Sequence, residues 1–105
     1  MMNDGRLKLH ADLLQILGSN NVYFQPPEST KITYPAIIYS RSDIEKTHAA
    51  DNVYGQNIKY KVTVVDHDPD SEIVERLLAF KFAVFDRHFV VNGLNHDQFT
   101  VSYIK

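Results

Sequence analysis

The sequence predicts an α+β domain: an antiparallel sheet of about four to five strands with two helices packed on one face. Three observations lead there. Apolar residues recur at helical spacing near the N-terminus and again in "SEIVERLLAFKFAVF", "NIKYKVTVV" alternates apolar and polar residues, and "NGLNHD" separates two further strand-like runs.

The first helix spans residues 5–17. Leu7, Ala11, Leu14 and Leu17 form a stripe that Leu13 and Ile16 widen, and Gly18 is placed to end it. "VYF" at 22–24 then reads as a short strand stopped by Pro26 and Pro27, and the polar "ESTKITY" as a loop. "PAIIYSR", 35–41, is a strand opened by a proline. In "NIKYKVTVV", 57–65, the alternation puts Ile58, Tyr60, Val62 and Val64 on one face and Lys59, Lys61 and Thr63 on the other. Between these strands, residues 42–56 look too long for a tight hairpin and hold Ile44, Val53 and Tyr54 among polar residues, so they read as an exposed working loop.

The second helix is expected over 71–85, with Ile73, Leu77, Phe80 and Val84 in one row and Val74, Leu78 and Phe85 in the next. Glu72 and Arg76 are spaced for an i,i+4 ion pair. "DRHFVV" and "QFTVSYI" close the domain as a hairpin in which Asn92 and Gly93 tolerate the positive φ of a turn, with Phe99, Val101 and Tyr103 on one face.

A chain of 105 residues is one domain, 1–105, with one modest core. Its 44% apolar and 23% charged residues place it among globular proteins. The net charge of −2 supplies no global attraction to a phosphate backbone. Without cysteine there are no disulfides, thiolate nucleophiles or thiolate-held zinc, which suits a reducing compartment. Asp4, Lys8 and Asp12 interrupt the N-terminal segment, so it reads as neither a signal peptide nor a membrane span.

The stretch "VVDHDPDSE" invites a metal reading, with Asp66, His67 and Asp68 as ligands of a small metal-dependent hydrolase. Consecutive residues diverge from a strand, however, and a helix beginning near Ser71 gives each a structural use: an Asp at the N-cap, Pro in the first turn, and acids beside the positive helix end. The cap is the preferred reading, and no metal or other cofactor is expected. The five histidines are scattered, the serines lack a nucleophile elbow, and no phosphate-binding glycine loop is present, so no catalytic residue is assigned. Lys59, Tyr60 and Lys61 suggest a nucleic-acid-binding sheet, but alternation sends the tyrosine away from both lysines.

Three longer segments, "NNVYFQPPESTKITYPAIIYSR", "ADNVYGQNIKYKVTVVDHDPDSE" and "FDRHFVVNGLNHDQFTVSY", together resemble small neck proteins of long-tailed bacteriophages and prophages, the tail terminator, tail completion or minor capsid proteins. The resemblance runs from about Val22 to Tyr103, and "VYFQPP", "YPAIIY", "ADNVYGQNIKY" and "DHDPDS" are its most specific pieces. It implies a non-enzymatic virion protein, assembled in the host cytoplasm, that forms a homo-oligomeric ring, a hexamer in the terminators. Such a ring caps the tail tube protein, presents a surface to the head connector protein, and lets DNA pass its lumen without sequence-specific binding. A head-completion role is the alternative within the same resemblance. Residues 42–56 are the expected contact with a neighbouring subunit or the tube, with Ile44 and Tyr54 as apolar anchors and Asp43, Glu45, Lys46 and Asp51 as rim charges.

Overall fold

The computed structural model describes the backbone of residues 2–49 and 52–104, and the side-chain surroundings of 5–44 and 57–102. Two helices and five strands follow in the order α1 Met2–Leu17, β1 Val22–Phe24, β2 Ala36–Ala49, β3 Asn52–Asp66, α2 Glu72–Leu78, β4 Ala83–Val91 and β5 Leu94–Ile104. The sheet order is β1-β2-β3-β5-β4. This is the expected α+β class, with one correction to the sheet. It is mixed, because β1 lies parallel to β2 with Val22 beside Ile37 and Phe24 beside Tyr39. Parallel neighbours need a connection that returns the chain to its starting end, and residues 25–35 make that return.

Helix α1 buries Leu9, Leu13 and Leu17, an i,i+4 row, while Leu7 is 55% exposed. The stripe expected from Leu7 and Ala11 is therefore rotated: Leu9, absent from that stripe, heads the buried row. Gly18 ends the helix as expected, at φ +80° with its N–H donating to the Leu14 carbonyl at 2.9 Å.

In β3 the expected alternation holds, with Ile58, Tyr60, Val62 and Val64 all at most 2% exposed. Cross-strand register aligns them with Ile37, Tyr39 and Ile44 of β2 and with Phe99 and Val101 of β5. These residues cluster with Leu9, Leu13, Leu17, Ile73 and Leu77, so both helices bury their apolar rows against the same sheet face. Lys59, Lys61 and Thr63 occupy the other face.

Helix α2 corrects the expectation of a helix over 71–85, since it has 7 residues and ends at Leu78. Ile73 and Leu77 are buried as expected, and Arg76 pairs with Glu72 at 3.3 Å. After Leu78, Phe80 N–H donates to Leu77 and Ala83 N–H to Phe80, and the chain enters β4. Val84 and Phe85 are thus strand residues. "FKFAVF" carries aromatic and β-branched residues that suit a strand, and pairing with β5 overrides its helical spacing. The last hairpin turns on Asn92 and Gly93 alone, at φ 53° and 75°, whereas Leu94 to Asp97, expected in the turn, belong to β5.

Candidate functional site

The segment 42–56 is the clearest departure from the sequence expectation. It is an extended two-stranded hairpin rather than a loop: β2 and β3 stay paired from Asp43 opposite Lys59 out to Ala49 opposite Asn52. Third-strand support ends earlier, because β1 pairs only as far as Tyr39 and β5 only as far as Asn57. The outer half is therefore an arm, and the chain measures 51 Å along its longest axis against 27 and 23 Å across.

Two irregularities shape the arm. The register shifts between Arg41 and Asp43, leaving Ser42 as an extra residue whose hydroxyl donates to the Lys59 carbonyl at 3.2 Å. A second shift, between Thr47 and His48, leaves Tyr54 as the extra residue on β3. Bulges raise local twist and bend the strand that carries them, so each strand of the arm has one such position of its own.

The expected contact residues are distributed along this arm. Asp43 is exposed, its Oδ1 accepting from the Ile44 N–H at 2.8 Å. Ile44, expected as an exposed anchor, is half-buried and packs against the core cluster opposite Ile58, so its apolar surface is largely satisfied within the chain. Glu45 and Lys46 lie opposite Asn57 and Gln56. Their side chains and that of Tyr54 lie outside the described surroundings, and Asp51 lies outside the described residues altogether.

The "DHDPDSE" stretch forms a chained turn. Asp66 Oδ1 accepts from the Asp68 N–H at 3.1 Å and Asp68 Oδ1 from the Asp70 N–H at 2.9 Å. The N-cap is Ser71, whose hydroxyl accepts from the Ile73 N–H at 3.2 Å, so the cap falls on the serine rather than on an aspartate, and Pro69 precedes the helix. Asp66, Asp68 and Glu72 do face a shallow open hollow with Leu17, Ser71, Ile73 and Arg76. Arg76 crosses it to reach the Ile16 carbonyl at 2.9 Å. Among the described residues no three His, Asp or Glu side chains converge as a metal-binding group.

Tyr60 is buried in the core while Lys59 and Lys61 lie on the opposite face, as the alternation predicts. Burial pushes the Tyr60 and Tyr39 hydroxyls above the usual phenol range, with Arg6 opposing in both. Tyr39 keeps a partner, His10 Nδ1, at 2.6 Å.

Sequence reasoning missed a polar group at the far end of the sheet. Asn95 and Asp97 are 8% and 9% exposed, in the inward row that continues through Phe99 and Val101. Asn95 donates to the carbonyls of Asp66 and His67 at 3.3 and 3.2 Å and contacts His88 Nε2 at 3.1 Å, tying the β3 end to the terminal hairpin. Asp97 stands opposite Val64 and His88. Burial pushes its carboxyl up, against the lowering influence of His88 and His96. The signal was available in "NHDQFTV", where residues 95 and 97 share parity with Phe99, once the turn is confined to Asn92 and Gly93.

No protein-family model matches the sequence, and no curated protein matches it.

Proposed function

We propose that this protein is a structural component of the head–tail joint of a long-tailed phage or prophage, a ring-forming tail terminator without enzymatic activity. The observation that carries the reading is the arm. A two-stranded ribbon is marginal in water by itself, and this one runs beyond every supporting strand, as a segment made to lie against a neighbour does. The family resemblance of the sequence supplies the identity of that neighbour: the next subunit of a homohexameric ring, the tube beneath it, and the connector above.

A ring of identical subunits meets through heterologous contacts that close after a fixed rotation. The rest of the domain is suited to holding an arm in place. Three antiparallel strand pairs and two helices share one core, so force on the arm is transmitted along β2 and β3 into a packed sheet. DNA crosses the lumen without base readout, and heads join after the ring is in place.

Deleting the gene from its phage tests this. Tails of uncontrolled length are the expected result. Tails of normal length beside full, unjoined heads would instead identify a head-completion protein.

A further inference from the structure

The outer edge of β4 is open, since β4 ends the strand order and no strand of the described residues pairs beyond it. Seven of its nine residues are exposed, Val84, Phe85, Val90 and Val91 among them, so this edge lacks the cover that keeps an edge strand from pairing with another chain. Its protection is of another kind. Register with β5 passes from Phe85 opposite Phe99 to Arg87 opposite Gln98, leaving Asp86 as an extra residue. The interruption resets the alternation: Ala83 and Phe85 face inward before it, and His88 and Val90 face inward after it, opposite Asp97 and Asn95. Asp86 accepts from the Thr100 hydroxyl at 2.7 Å and Arg87 donates to Gln98 Oε1 at 2.9 Å, both on the outward row with Val84 and Phe89. Among the described residues neither charge belongs to an ion pair.

A regular strand laid along this edge meets one half of β4 in phase and the other half out of phase, because a slip of one residue exchanges the two faces. One strand has a matching break: β4 of a second copy. Run antiparallel about a twofold axis between Asp86 and Arg87, it places Ala83 opposite Val90, Val84 opposite Phe89 and Phe85 opposite His88, inward beside inward and outward beside outward throughout. Asp86 then faces Arg87 of the second copy, and the axis makes that pair twice. Moving the axis by half a residue onto Arg87 sets Val84 opposite Val90 and Phe85 opposite Phe89, which mixes the faces. Moving it onto Asp86 sets Phe85 opposite Arg87 and mixes them again.

We propose that two copies of this chain join edge to edge through β4, antiparallel about an axis between Asp86 and Arg87, with each Asp86 carboxylate against the Arg87 guanidinium of the other copy and Val84 against Phe89. The contact is isologous and joins two five-stranded sheets into one. Opposite charges, and aromatic with β-branched residues, are the favourable cross-strand pairs, and each occurs twice here. The bulge and the charges that refuse a regular strand thus select the one strand that repeats them. The axis reverses one copy against the other, so the two arms leave from opposite ends and neither lies in the contact. Each copy keeps its own core, so dilution releases a folded monomer. The pair is a state of the free protein and is independent of the ring reading.

Sedimentation over a concentration series tests it, with charge exchange as the discriminating step. The parent should pass from monomer to dimer as concentration rises. Asp86→Arg and Arg87→Asp each set like charges opposite one another at both sites and should weaken the dimer by about tenfold or more. Mixing these two variants restores an opposite pair at both sites, so the mixture should dimerise as tightly as the parent although neither component does so alone. Cysteine pairs read the register, since the chain has none of its own. Val84→Cys mixed with Phe89→Cys should oxidise to a covalent dimer, and neither should do so by itself. A parent that stays monomeric up to its solubility limit, single charge variants that dimerise like the parent, or a mixture no tighter than its components would overturn the proposal. Covalent dimers of Val84→Cys alone would overturn it too. Tail length in the gene deletion decides the terminator reading and leaves this contact untouched.

Discussion

Strands β3 and β4 flank the same neighbour, β5, yet they are built on opposite terms. Along β3 every second residue from Ile58 to Val64 is buried to 2% exposure or less, and the alternate row holds Lys59, Lys61 and Thr63. Along β4, at the sheet edge, Val84, Phe85, Val90 and Val91 are all more than two-fifths exposed, and the register shifts at Asp86. A central strand under two helices must be sorted by face, because each inward polar group would lie in the core. An edge strand escapes that sorting. Its exposed apolar residues are available for another surface, and the same freedom removes the periodic signal that identifies a strand.

The largest expected break in this comparison comes from placing one charge in the inward row of each strand. Val62→Asp puts an unpaired carboxylate at a fully buried position of β3 and should cost more than about 4 kcal/mol, enough to abolish the cooperative urea transition. Val90→Asp, at a position 57% exposed and opposite Asn95 in the inward row, should shift the midpoint by less than about 0.5 kcal/mol equivalent. Similar losses from both would mean that β4 is sorted as strictly as β3.

A smaller effect sharpens the same contrast at β5. Burial raises the Asp97 pKa in the folded chain above its unfolded value, so the ionised form is the one the fold disfavours. The stability this group permits is full below the unfolded pKa and is lost as pH rises through the folded pKa. Asp97→Asn removes that dependence. Denaturation series from acid to neutral pH should show the substituted protein gaining on the parent as pH rises. A parent that gains on Asp97→Asn over that range would mean that the histidines outweigh the burial.

Smallest is the cap at the start of α2. Ser71→Ala removes the hydroxyl that accepts from Ile73 and should cost about 1 kcal/mol in thermal or urea unfolding. Asp70→Ala should cost less, because its carboxylate is not the cap. Equal losses would return the capping role to the aspartate.

What the sequence by itself determined was whatever rests on local pattern: α1 and its Gly18 stop, the sorted face of β3, the Asn92–Gly93 turn, the Glu72–Arg76 pair and the α+β class. Each follows from a few neighbouring residues whose propensity and spacing agree. Tertiary structure alone decided the parallel placement of β1, the end of α2 at Leu78 and the extension of residues 42–56 into a paired arm. In all three the competing local conformations are close in free energy, and hydrogen bonds to a distant strand choose between them. The buried Asp97 belongs to the same group. Its neighbours Val64 and His88 lie on other strands, so its desolvation exists only once the sheet has brought those strands together.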